Sequence, residues 1–245
     1  MRLSHLPTFG AVVTTIPILF CLVGAHLYYD EFSGKIIFIS ESGGRFPFNS
    51  VFGLSLTLGG VVIVLNCLLF VHIAYSRTPS LFPQFQLILS LIKFLSVVGG
   101  ISLMLVGMVS VYDSFVIHTI AAQSFFLSTL LNVCLITFVS RKQVKALKHS
   151  NPACTSAVVF WNKFRLYCCA LLPFFVLPYL FLPFFIQFQH VGSICAVLQY
   201  LSVFTLVLFF LSIRCEFRNI TLTLSNLMEG IAETAEVIKS EVKRL

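Results

Sequence analysis

Charge is what this chain lacks. Only 10% of its 245 residues are Asp, Glu, Lys or Arg, and 9 are acidic. A water-soluble domain carries about 25% charged residues, so a soluble fold is excluded and lipid must solvate much of the surface. The eight cysteines have no paired metal-type spacing, which removes zinc-ribbon designs. No charge-rich stripe crosses an apolar stretch, which argues against a pump or a voltage sensor. No base-reading chemistry accompanies the basic residues, so no nucleic acid is expected as a partner. No nucleophile motif is visible either. A zinc site from His26, His118 and His190 has no diagnostic spacing, and no metal or cofactor is expected.

What the chain has is apolar length. It is 58% hydrophobic, with a mean hydropathy of +0.98. Six stretches, near 9–29, 51–74, 87–108, 115–139, 166–188 and 191–213, each reach the ~20 residues that span a bilayer as helix. Backbone polar groups in lipid must bond within their own segment, so these are helices; a barrel would show shorter, alternating segments. The expected fold is all-α: a polytopic bundle of six transmembrane helices over 1–218, then a tail over 219–245. The first stretch is longer than a signal core and reads as an uncleaved helix; the alternative is a cleaved leader with five helices left.

Basic residues set the orientation. Arg2, Arg77, Arg141, Lys142, Lys145, Lys148, Lys163, Arg165, Arg214, Arg218, Lys239, Lys243 and Arg244 fall on one side of this topology. Only Lys35 and Arg45 fall on the other, and Lys93 lies inside the third stretch, where snorkelling makes it an interfacial anchor. The positive-inside rule puts both termini in the cytosol. The Asn219-Ile-Thr221 sequon is then cytosolic and unused. The basic face suits anionic headgroups and a cytosolic or membrane protein partner.

Several smaller signals fit this frame. Cys168, Cys169, Cys154 and Cys215 read either as juxtamembrane palmitoylation sites or as small apolar fillers. Only Cys195 is assigned to the other face, which excludes a lumenal disulfide framework. Leu224, Leu227, Ile231, Ala235, Ile238, Val242 and Leu245 give the tail an amphipathic helical period. Ser55, Gly59, Ser96, Gly100, Gly107, Gly192 and Ala196 offer small-residue packing. Pro173, Pro178 and Pro183 bend the fifth helix, either as a packing kink or to open a lateral pocket.

The lumenal side gathers the polar chemistry: His26, Asp30, Glu31, Ser40, Glu41, Asp113, His118 and His190. Its one long loop runs FISESGGRFPFNSVFG, where Gly43 and Gly44 permit a tight turn and Pro47 restricts the chain after it. His118 opens the fourth helix, with Thr129 and Asn132 near the same face. A chemical reading has Asp113 orient His118, which removes a proton from a hydroxyl. The bland reading is a histidine that hydrogen-bonds between helices.

These residues resemble the FRAG/DRAM/SFK six-helix superfamily, which includes post-GPI-attachment factor two. FISESGG with Pro47 resembles the family loop. VSVYDSFVIH, 109–118, is most similar to the post-GPI-attachment factor branch. Leu198-Gln199-Tyr200 resembles a leucine–glutamate–tyrosine run, departing from it at Gln199, and Glu216-Phe217 resembles an acidic–phenylalanine pair. His190 has no counterpart.

The resemblance implies a Golgi or ER-Golgi protein in GPI-anchor lipid remodelling, where lyso-GPI regains a fatty acid. Its role would be that of a factor or part of the machinery; an enzymatic version would be acyl transfer. Its partners would be membrane lipids, with GPI lipid in the lumenal leaflet. His118 and Asp113 are the catalytic candidates. Ser40, Glu41, Gly43, Gly44, Pro47, Thr129, Asn132 and Gln199 are the candidates for binding. The alternatives are a DRAM-like lysosomal modulator of autophagy and an SFK-like plasma-membrane scaffold for phosphoinositide signalling or lipid asymmetry.

Overall fold

The structure, a computed structural model, describes residues 3–32, 35–77, 82–150, 156–185 and 191–217. The amphipathic tail, Cys154, His190 and Asn219 lie outside the described residues. Among the described residues there are seven α-helices and no strand. They are α1 (Leu6–Tyr28), α2 (Ile39–Ser42), α3 (Asn49–Arg77), α4 (Phe82–Met108), α5 (Phe115–Ser150), α6 (Ser156–Phe185) and α7 (Val191–Ser212). All but α2 are long and apolar enough to cross a membrane, six spans in all. An even number of spans returns the chain to the side from which it started. We call that side the terminal end, and the opposite one, carrying residues 29–48, the loop end.

Chain neighbours pack side by side: α3 on α4, α4 on α5, α5 on α6 and α6 on α7. The ring closes through α1, which packs mainly on α3 and more lightly on α7. The α3–α4 seam is held by close backbone approach. A Cβ on Gly60 would stand 2.6 Å from the Gly100 carbonyl oxygen, and one on Gly53 would stand 2.7 Å from that of Gly107. Membrane helices associate through such small-residue contacts. Of the small residues singled out above, Gly100 and Gly107 serve this seam, whereas Gly59 faces Thr14 of α1. Gly192 is a correction: a Cβ there meets nothing within 4 Å, so it packs on no neighbour.

Several Ser and Thr hydroxyls inside the bundle are satisfied within their own helices. Thr129 Oγ1 donates to the Phe125 carbonyl at 2.6 Å and Ser202 Oγ to that of Leu198 at 2.7 Å, the local back-bonding open to Ser and Thr. Lys93 is exposed on the outer face of α4. Helix α6 runs without interruption past Pro173 and Pro178. It lines neither of the two cavities at the site, so the lateral-pocket reading of its prolines is not realised there.

Because α6 starts at Ser156, Cys168 and Cys169 sit roughly 18 Å or more along the helix at ~1.5 Å per residue. Cys168 is buried, and Cys169 lies with its Sγ 3.6 Å from Cys134 Sγ. Cys21 joins Cys195 in the loop-end half, its Sγ 3.8 Å from the Phe48 carbonyl.

Candidate lipid-binding site

Two polar turns converge at the loop end. The first is built around α2. Its Glu41 carboxylate reaches back to accept the Phe38 N–H at 2.8 Å, the reciprocal half of a capping box. Helix α7 holds the same segment from the bundle side. Gln199 Oε1 accepts the Ile39 N–H at 2.9 Å, and Tyr200 Oη donates to the Ile37 carbonyl at 2.6 Å. A backbone N–H entering an apolar bundle needs such a partner, which explains why a polar pair interrupts α7.

Gly43 and Gly44 follow because nothing larger fits. A Cβ on Gly43 would fall 2.1 Å from the Phe52 ring, and one on Gly44 would fall 2.8 Å from Tyr112 and 2.9 Å from the Ser40 carbonyl oxygen. Arg45 then pairs with Glu31 and lies over the Tyr112 ring, 4.2 Å from its centroid. Burial pushes the Tyr112 phenol above its usual range, while the guanidinium opposes that shift. Pro47 follows a cis peptide bond in the turn leading to α3.

The second turn joins α4 to α5. Ser110 N–H donates to Asp113 Oδ2 at 3.1 Å, and Ser110 Oγ donates to the Gly44 carbonyl at 2.8 Å, tying the two turns together. Ser114 caps α5, its Oγ accepting the Ile117 N–H at 3.4 Å. His118, 5% exposed, reaches back across the turn so that Nδ1 meets the Val109 carbonyl at 2.7 Å. A carbonyl only accepts, so Nδ1 is the donor, and in the neutral ring Nε2 keeps a lone pair with no partner among the described residues.

This geometry corrects the pairing read from the sequence. The Val109 carbonyl, not Asp113, orients His118; the Asp113 carboxylate is turned to the Ser110 N–H. Thr129 and Asn132 are also displaced from the site. Asn132 Nδ2 donates to Ser96 Oγ at 3.1 Å, and neither residue lines either of the two cavities that meet at His118.

Two cavities meet at His118. A polar chamber of about 420 Å³ opens at the loop end and includes Ser40, Gly43, Gly44, Ser110 and Asp113 in its wall. An apolar cavity of about 910 Å³, open mouth included, descends inside the ring from Ile39, Ser40, His118 and Gln199 toward Pro7, Asn66 and Phe210. Along α7, Gln199 to Phe210 rises about 17 Å at ~1.5 Å per residue. That is close to one leaflet, roughly 15 Å of a ~30 Å hydrocarbon core. Ser40, Phe52, Val106 and His118 line both cavities. The pair is amphiphilic in its lining, apolar below and polar above, with Ser40 and His118 at the junction. Glu41 and Pro47 line neither cavity.

The family model described as Frag1/DRAM/Sfk1/Cwh43P N-terminal domain matches residues 2–220. The chain belongs to this family. No curated protein and no solved structure matched it. The family match spans every described helix, so both cavities lie inside the Frag1/DRAM/Sfk1 domain.

Sequence reasoning missed two features of this Frag1/DRAM/Sfk1 chain. Asn66 lines the deep end of the apolar cavity with its Oδ1 buried and unpartnered among the described residues. Such an atom costs about 1–3 kcal/mol and is a docking point for water or a polar group. The second is at the terminal end. Arg165, fully buried, donates to Ser140 Oγ at 2.6 Å, Cys215 Sγ at 3.2 Å and Glu216 Oε1 at 2.9 Å. It joins α5, α6 and the turn after α7. A lone Arg near the start of one apolar run and an acid just past the end of another were the available signal.

Proposed function

We propose that this protein handles an amphipathic lipid in the lumenal leaflet and takes part in GPI-anchor lipid remodelling at the Golgi or between ER and Golgi. The observation that carries the reading is the wall shared by the two cavities, where Ser40 and His118 sit between polar and apolar space. Remodelling occurs at that junction of a lipid, where chain meets headgroup. The resemblance of 109–118 to the post-GPI-attachment factor branch supports the same choice within the family. His118 Nε2 accepts a hydrogen bond from a lipid hydroxyl there. In an acyl transfer it would take that proton, a contribution worth about 10²–10⁴-fold.

The test is rescue of deleted cells, read as fatty-acid composition and surface retention of GPI-anchored proteins. His118→Asn keeps a side-chain N–H near the Nδ1 position for the Val109 carbonyl and removes Nε2. Loss of rescue at normal abundance is expected. Full rescue removes His118 from the site, and normal anchors in the deleted cells remove the function. Exclusive residence of a tagged chain in lysosomes or the plasma membrane would favour the DRAM-like or SFK-like reading instead.

A further inference from the structure

We propose that the polar chamber takes the ammonium group of an amine-bearing lipid headgroup, with Asp113 as its counter-ion. The inference rests on the lipid-handling reading above and adds the charge type of the ligand. Among the described residues, Asp113 is the chamber's only charged side chain, and no Lys or Arg is part of its wall. One of its carboxylate oxygens accepts the Ser110 N–H; the other has no partner among the described residues. Arg45, beside the chamber wall at Gly44, is held by Glu31 and by the Tyr112 ring.

The second observation is His118. It is 5% exposed, and Nδ1 is committed to the Val109 carbonyl. In the neutral ring, Nε2 of this residue, which lines both cavities, is left as an acceptor. Asn49 Oδ1 accepts the Ser50 N–H at 2.9 Å, so the chamber's remaining adaptable groups are mainly hydroxyls. A free carboxylate oxygen and an imidazole lone pair ask for donors. An ammonium supplies three donors and no acceptor. A phosphate supplies only acceptors and negative charge, so it gains nothing from Asp113.

Two headgroups carry this chemistry, ethanolamine and an amino sugar. The test uses the full chain in neutral detergent micelles loaded with a lipid bearing a fluorescent acyl chain. Displacement is measured with lysophosphatidylethanolamine, a long-chain alkyl glucosaminide, the N-acetylated form of each, and a neutral monoacylglycerol. At least one free amine should displace about three- to fivefold better than its acetylated form, the range of a solvent-screened ion pair. The larger ratio names the source. Asp113→Asn retains an oxygen for the Ser110 N–H and should bring both ratios to one. Equal displacement by free and acetylated amines in the unaltered chain, with monoacylglycerol still active, overturns the ammonium site and leaves lipid binding standing. A ratio that survives in Asp113→Asn overturns the role of Asp113. Failure of every amphiphile to displace, or of the probe to bind, overturns the lipid-handling reading itself.

Discussion

Arg165 and His118 show how the same bilayer gives buried polar residues different tasks. Arg165 carries a guanidinium, which has five N–H donors and no acceptor. It is fully buried, so its energy depends on Glu216, Ser140 and Cys215. Removing one partner of a buried pair leaves the other charge uncompensated, at about 3–5 kcal/mol, whereas replacing both with apolar groups is often near neutral. Arg165→Met and Glu216→Leu should each lower the thermal midpoint in detergent, and the double variant should recover most of the loss. Additive losses would mean the two residues act independently. His118 instead has one nitrogen fixed and one free, the arrangement of a group held ready for a ligand. Its position was legible because a histidine at the head of an apolar run stands out. Its orienting partner was not. A carbonyl nine residues back carries no signature, and the neighbouring Asp113 is the more conspicuous side chain.

At the scale of elements, hydropathy located all six spans but misjudged where α5 and α6 end. The apolar run near 115–139 continues as α5 to Ser150, and α6 begins at Ser156, before the run at 166. Hydropathy reports where lipid must solvate a helix; helical hydrogen bonding does not stop there. That gap left Arg165, a residue of α6, outside the fifth span. Long-range ties were hidden for a related reason. The Gln199–Ile39 bond joins residues 160 apart in sequence, and nothing in either segment alone requires the other. The α3–α4 seam offers a direct check on packing. Gly60→Ala brings a Cβ to 2.6 Å from backbone that cannot swing aside, so a loss of about 1–3 kcal/mol is expected, the range of overpacking. Gly192→Ala enters open space and should be neutral or gain up to about 1 kcal/mol by reducing unfolded-chain freedom. Measured unfolding midpoints that rank the two the other way would refute the seam.

For the whole molecule, the central question is whether the ring encloses a lipid chain and which leaflet it opens to. Ala122 lines the apolar cavity from α5 and is 7% exposed. Ala122→Phe should fill that space, reducing fluorescent-lipid binding at least tenfold while the fold survives. Unchanged binding at unchanged stability would place the lipid elsewhere. Leaflet choice rests on charge. By the topology expected from the sequence, thirteen of the 16 Lys and Arg fall on the side of the two termini, a bias that favours the cytosol for that side. The expectation from this bias is that the loop end, with both the chamber and the mouth beside Ser40, is lumenal. Phe46 is 79% exposed in the 29–48 loop and uses only its backbone carbonyl to accept from Tyr29, so a cysteine there should leave the turn intact. In sealed microsomes of native topology, a membrane-impermeant maleimide should label Phe46→Cys above the unaltered chain only after permeabilisation, and Asn219 should carry no glycan. Labelling before permeabilisation, or a glycan on Asn219, would invert the molecule. The chamber would then face the cytosolic leaflet, opposite the lumenal lipid on which the proposed function rests. That outcome would remove the proposed substrate while leaving the bundle, the cavities and the Arg165–Glu216 pair as they are.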